Sequence, residues 1–211
     1  MKIWEDERQC YIRAAMEKNS EAENEALKAQ LDAIDWSVLE QIERKETVNE
    51  RGVFAPLEAV ETEEIERRRD EFRELGIKAI REGKVGAVLL AGGQGTRLGL
   101  DRPKGTLNIG IRRELFLFQQ LIRNLMDVTD EAGAYVPLYI MTSNINHDDT
   151  QAFFEEHGYF GYPKEYVKFF VQEMEPACDY QGRVYMESRT RVAMSPNGNG
   201  GWFGSMVNAG L

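Results

Sequence analysis

Cysteine is nearly absent: among 211 residues only Cys10 and Cys178 carry a thiol, and no CxxC pair occurs. A disulfide framework and a zinc-ribbon arrangement are thereby excluded, and two isolated thiols suit a reducing compartment. Long apolar runs are missing too, with no stretch approaching the ~18 residues a membrane helix needs. The amino terminus, MKIWEDERQC, is too charged for a secretory signal, so a cytoplasmic protein with no membrane partner is expected. Positive charge is also scarce. The formal net charge is −10, and residues 1–82 hold 14 Lys and Arg against 22 Asp and Glu, leaving 12 against 14 for residues 83–211. Without a surplus of cations to release phosphate counterions, nucleic acid is not an expected partner.

What is present is enough for a core: 42% of residues are hydrophobic and 10% aromatic. Residues 1–82 read as a helical region, ending in a helix over Glu63–Arg81 with Ile65, Phe72, Leu75 and Ala79 on one face. The Arg67-Arg68-Arg69 run, flanked by Glu63, Glu64, Glu66, Asp70 and Glu71, is a salt-bridged solvent face, and Gly52 to Pro56 marks a break.

A second region begins at Gly83. Val85–Ala91 is a short apolar run stopping at Gly92-Gly93, the pattern of a buried strand entering a tight loop. A helix is predicted over Arg113–Val128, with Leu115, Phe118, Ile122 and Leu125 on one side. Strands follow at Tyr135–Met141 and Tyr166–Val171, with a helix between them capped by Asp148 or Asp149 and ended by Gly158. Strand, helix and strand in alternation imply right-handed βαβ units, hence an α/β protein with an open, mostly parallel, Rossmann-like sheet. His147 and His157 belong to the start and end of that helix rather than to a metal site, and Phe153, Phe154, Phe169 and Phe170 are core candidates.

The chemistry concentrates in Leu89-Leu-Ala-Gly-Gly-Gln-Gly-Thr-Arg-Leu-Gly99, followed by Arg102-Pro-Lys-Gly105. Past the carboxyl end of a strand, glycines let backbone N–H groups approach phosphate oxygens, and Arg97 and Lys104 add positive charge. The dinucleotide pattern GxGxxG fails because Leu98 stands where its third glycine belongs. The Walker pattern fails because Lys104 precedes Gly105. A purely structural strand-to-loop turn is the alternative reading of a glycine cluster taken alone.

The stretch Leu89–Gly99 with Pro103-Lys-Gly105 resembles the signature of eukaryotic-type UDP-N-acetylglucosamine pyrophosphorylases and related UDP-sugar pyrophosphorylases. The similarity continues through Tyr139-Ile-Met-Thr-Ser143, Phe153-Phe154, Tyr159-Phe-Gly161, Phe169-Phe-Val-Gln172 with Met174 and Pro176, and Met194-Ser-Pro-Asn-Gly-Asn-Gly-Gly201. This resemblance implies a nucleotidyltransferase domain with a GT-A-like sheet over residues 83–211, incomplete, behind the helical region 1–82. It implies UTP and a sugar 1-phosphate as substrates, a UDP-sugar and pyrophosphate as products, and Mg2+ as cofactor. Arg97 and Lys104 are the implied catalytic cations. Leu90, Ala91, Gly92, Gly93 and Gly95 are the implied wall of the nucleotide site, Gln172 the reader of the uracil edge, and Gly198 and Asn199 part of a second loop facing nucleotide and sugar.

Position 197 is Asn where the family more often has Asp. In the family a metal-binding aspartate and a lysine lie further along the chain, so no metal ligand is assigned here, and an inactive amino-terminal fragment is expected. A noncatalytic nucleotide-binding module, and glucose or galactose 1-phosphate in place of N-acetylglucosamine 1-phosphate, are the alternatives.

Overall fold

The computed structural model describes residues 2–36 and 55–211, apart from the Arg97 side chain. It divides into two compact units, one formed by Met1–Ala55 with Met174–Asn197 and the other by Pro56–Glu173 with Gly198–Leu211. A single cut near residue 82 does not follow this division, because a helix amino-terminal to it packs within the second unit.

That second unit holds a parallel sheet of three strands, β1 (Ala87–Leu90), β2 (Leu138–Thr142) and β3 (Val167–Val171), in the order β1-β2-β3. The register pairs Ala87 with Leu138 and Leu138 with Val167, as the alternating strands and helices of the sequence require. Helices α5 (Leu117–Ala132) and α6 (His147–Glu156) connect them. Phe118 and Ile122 of α5 pack with Phe153 and Phe154 of α6 over Leu138, Ile140 and Val167, so both helices cover one sheet face. Each such large side chain contributes roughly 1.5–3 kcal/mol on burial.

Local chemistry sets the helix bounds. α5 starts later than Arg113 because the Asn108 side-chain oxygen accepts from the Gly110 and Leu115 N–H groups, holding that stretch in a loop. Gln119 reaches back to the Phe116 N–H at the start, and Gly133, at φ +64°, ends the helix in a left-handed turn. Asn146, not Asp148 or Asp149, is the residue before α6; the two aspartates sit in its first turn, where carboxylates suit the helix dipole. His147 opens α6, and His157 closes it with its ring on Phe153 and Phe160. Beyond it Tyr159 and Phe160 take left-handed backbone at φ 53° and 54°, uncommon for non-glycine residues. Tyr162 is buried, donates its hydroxyl hydrogen to the Val136 carbonyl at 2.8 Å, and has its pKa raised chiefly by burial.

Two further expectations change. The Glu63–Arg81 helix is two helices, α3 (Thr62–Arg67) and α4 (Arg69–Arg81), broken at Arg68. The buried side of α4 is Ile77 and Ile80, against Ala132 and Val136, while Ile65 and Leu75 are exposed. The Arg81 bond to the Ala132 carbonyl and the Arg73 pair with Glu131 set that orientation. Strand β1 is half-buried rather than buried: Val88 and Leu90 are exposed, and among the described residues its second edge pairs with nothing. The arginine run does form a charged face, with Arg68 bridging Glu64 and Glu71 and Arg69 meeting Glu66. Residues 52–54 of the expected Gly52–Pro56 break lie outside the described residues.

In the first unit, α1 (Cys10–Met16) and α2 (Glu21–Asp32) pack Ile12, Leu27 and Leu31 on Val184 and Val192. Those valines belong to a segment carrying β4 (Met174–Pro176), β5 (Met186–Ser188), β6 (Arg191–Val192) and β7 (Met194–Pro196), paired antiparallel as β4-β7 and β5-β6. Ser20 and Glu23 form a capping box at the start of α2. Buried Gln9 completes the join, its amide donating to the Gly182 carbonyl and accepting from the Val184 N–H, both at 2.9 Å.

Candidate functional site

The parallel sheet ends in a row of loop residues at the carboxyl side of its strands, where open α/β sheets bind ligands. Leu90 closes β1. The Ala91 N–H donates to the Met141 carbonyl at 2.7 Å, so the chain stays in register with β2 as it enters the glycines. Gln172, 6% exposed, follows β3, and its N–H donates to the Thr142 carbonyl at 2.8 Å. Its side-chain amide lies directly over Gly92: a Cβ added there would stand 2.9 Å from the Gln172 Nε2. Gly92 therefore lacks a side chain where the amide needs the room.

The other glycines divide by role. Gly93 has open space where a Cβ would go, leaving its backbone accessible. At Gly95 a Cβ would meet the Leu100 side chain at 2.7 Å, and its N–H donates to the Arg102 carbonyl, so its smallness serves the loop's own closure. Gly105 lies against the Phe118 ring, fixing the Pro-Lys-Gly segment on α5. Lys104 donates its backbone N–H to the Gly93 carbonyl at 3.2 Å, which brings the two glycine-containing segments together. The Lys104 side chain is exposed and forms no ion pair among the described residues. Arg97 stands mid-way in a 3-10 turn over Thr96–Leu98, ended by Gly99 at φ 72°.

Asn146 carries a role that the sequence reading missed. Fully buried, it accepts the Ser143 N–H at 2.8 Å through Oδ1 and donates through Nδ2 to the carbonyls of Ala91, at 3.0 Å, and Gly93, at 3.4 Å. One amide thus clamps the first turn of the glycine loop to the end of β2. An Asn between a strand and a helix was the available signal, but neighbouring Asn144, Asp148 and Asp149 are equally plausible caps in sequence. Thr142 donates its hydroxyl hydrogen to the Phe170 carbonyl at 3.0 Å and so accepts from His147 Nδ1 at 2.7 Å. Two buried polar atoms here, Gln94 Oε1 and Ser143 Oγ, have no hydrogen-bond partner among the described residues.

The second glycine loop follows β7. Gly198 takes a positive φ of 77°, a conformation that favours glycine, and Asn199 begins a 3-10 turn leading into α7 (Trp202–Asn208). Glu173, next to Gln172, donates its N–H to Ser205 Oγ at 3.0 Å, and its carboxylate accepts from the Asn208 amide. The helix after the second loop is therefore tied to the end of β3. Asn197 donates to the Glu175 carboxylate at 3.3 Å.

The chemistry on offer suits an anionic nucleotide: backbone N–H groups, an amide, a hydroxyl and a free ammonium. Among the described residues no three His, Cys, Asp or Glu side chains cluster as metal ligands. No described helix is long and apolar enough to cross a membrane.

A glycine loop and a side-chain amide gathered at the carboxyl end of a parallel sheet place the chain among α/β proteins whose ligand site lies at that edge. The sequence matches the UTP–glucose-1-phosphate uridylyltransferase family over residues 17–211, and the chain belongs to that family. UDP-N-acetylglucosamine pyrophosphorylase of Saccharomyces cerevisiae is 42% identical over 142 residues, 65% of this chain and 30% of that protein. UDP-N-acetylglucosamine diphosphorylase 2 of Arabidopsis thaliana is 40% identical over 154 residues, 68% of this chain and 31% of that protein. Among solved structures, the uridine diphosphate N-acetylglucosamine pyrophosphorylase of Trypanosoma brucei aligns with a TM-score of 0.70 at 33% identity, over 93% of this chain and 42% of the other. The fold is that of a nucleotidyltransferase. The chain spans less than a third of the length of the two curated relatives.

Proposed function

We propose that this chain is the nucleotide-binding part of a uridylyltransferase that joins UTP to a sugar 1-phosphate, releasing pyrophosphate and forming a UDP-sugar. N-acetylglucosamine 1-phosphate is the acceptor favoured by the relatives at about 40% identity, which carry that sugar in their names. The observation that carries the reading is the Gln172 amide seated over Gly92. An amide offers one carbonyl and two N–H groups, which complement the alternating carbonyls and N–H of a uracil edge.

In the reaction a sugar phosphate oxygen attacks the α-phosphorus of UTP in line, and the bond to the pyrophosphate oxygen breaks. Gly92 and Gly93 present backbone to the nucleotide, with Leu90, Ala91 and Gly95 shaping that turn. Arg97 and Lys104 offset charge on the phosphoryl oxygens, the main task of a protein in such a transfer. Gly198 and Asn199 face nucleotide and sugar from the second loop. Magnesium, when bound, would supply further charge neutralisation at the phosphates.

A UTP titration of the 211-residue chain, run beside a pyrophosphate-release assay with N-acetylglucosamine 1-phosphate and magnesium, tests this. UTP binding that Gln172→Ala weakens supports the nucleotide site, and release of pyrophosphate supports the full reaction. Equal binding of UTP and ATP, untouched by Gln172→Ala, would overturn the uracil reading.

A further inference from the structure

Ser143 continues β2 by one residue. Carried one step past the last β2–β3 pair and two past the last β1–β2 pair, the strand registers set Gly92, Ser143 and Gln172 side by side across the three strand ends. Side chains alternate between sheet faces. Leu138 and Ile140 join the core under α5 and α6, so Met141 and Ser143 point to the opposite face, as do Leu90 and Gly92 on β1 and Phe170 and Gln172 on β3. The Ser143 hydroxyl is thus in the same row, and on the same face, as the amide that reaches across to Gly92.

Ser143 is 3% exposed. Its N–H is bonded to Asn146 Oδ1 and its carbonyl to the Asn146 N–H, yet its hydroxyl has no partner among the described residues. A buried hydroxyl without a partner lowers stability, and in that row an alanine would pack as well without the cost. Such a group is expected where function rather than folding uses it. The Gln172 amide makes no side-chain hydrogen bond among the described residues either, though of the two groups only the Ser143 hydroxyl is both buried and without a partner.

We propose that Ser143 is a positioning residue for Gln172. This rests on the reading that Gln172 meets the base of a uracil nucleotide. The base edge takes one N–H and one carbonyl lone pair from the amide, leaving one of each free on its inner side. The Ser143 hydroxyl, able to donate or accept, engages that inner side when the amide turns to the base, and so holds the amide plane against it.

The test combines UTP titration with thermal unfolding for the full 211-residue chain and its Ser143→Ala, Gln172→Ala and doubly substituted variants. Ser143→Ala should weaken UTP binding roughly five- to twentyfold, as loss of one hydrogen bond does, while its unfolding midpoint stays level or rises. The double variant should bind no more weakly than Gln172→Ala alone, because Ser143 acts through that amide. Unchanged affinity in Ser143→Ala, a lowered midpoint, or additive losses in the double variant would each overturn the proposal. If Gln172→Ala weakens binding and Ser143→Ala does not, Ser143 alone is refuted. A chain that binds no UTP removes the base reading, and the role of Ser143 with it.

Discussion

A Cβ on Gly92 would stand only 2.9 Å from the side-chain Nε2 of Gln172, too close for the two to coexist without a shift. The end of β3 therefore dictates which residue the loop after β1 carries. Gly92→Ala should displace the flexible end of Gln172 with little loss of stability, since a side-chain tip gives way more easily than backbone. UTP affinity should fall about tenfold, the scale of one misdirected hydrogen bond to a ligand. Titration of the variant with affinity intact would show that the amide position over Gly92 is immaterial.

Gly93 offers the contrasting case, because nothing lies within 4 Å of its missing Cβ. Gly93→Val should fold with a near-unchanged melting temperature yet bind UTP poorly, the side chain standing where the nucleotide approaches the backbone. A variant that melts normally and binds normally would remove Gly93 from the site.

Asn146 should be the most sensitive of the buried polar residues around the loop. Asn146→Ala strips partners from the Ser143 N–H and the Ala91 carbonyl, at about 1–3 kcal/mol for each group left unsatisfied. Asn146→Asp should be no milder, since it sets a carboxylate oxygen against the Ala91 and Gly93 carbonyls. Urea unfolding of both variants measures the cost, and a loss under about 0.5 kcal/mol in either would contradict the clamp.

How far the sequence revealed these features depends on how local their causes are. The glycine run, the core face of α5 at Phe118 and Ile122, and the strand ending at Val171 follow from short-range patterns that needed no partner to be read. The face of α4 was misjudged because its orientation is set by Glu131 and the Ala132 carbonyl at the far end of another helix. The helices of the first unit, α1 and α2, agree with the helical reading of the amino-terminal region, but their packing on residues 174–197 was unreadable for the same reason. Gln9 and Gln30 pair with backbone near Val184 and Val192, more than 150 positions away, and no periodicity announces such a bond. Asn146 was hidden by chemistry rather than distance, as its neighbours cap helices equally well.

Lys104 should matter to ligand and not to folding. Its side chain is exposed, while its backbone N–H bond to Gly93 survives substitution. Lys104→Ala should leave the melting temperature within about 2 °C, as exposed substitutions generally do. UTP binding should weaken roughly ten- to hundredfold, the worth of a charge-assisted contact, and more steeply at low salt. Equal affinities for the two proteins at low ionic strength would place the ammonium away from the phosphates.

The acid limb of stability should carry the signature of Asp6. Its carboxylate accepts from the Arg8 side chain and backbone, and the guanidinium hydrogen bonds, ahead of the opposing effect of burial, hold its pKa below the usual aspartate value. A carboxylate with a depressed folded pKa stabilises the protein above its unfolded value of about 3.9. That contribution is lost as pH falls through the lower folded value. Asp6→Asn should therefore melt below the unsubstituted chain at pH 6, and the gap should close as both are taken below about pH 4. Thermal unfolding at steps from neutral to acid measures it. A gap that stays constant across the whole range would assign the Asp6 contribution to packing rather than to its charge.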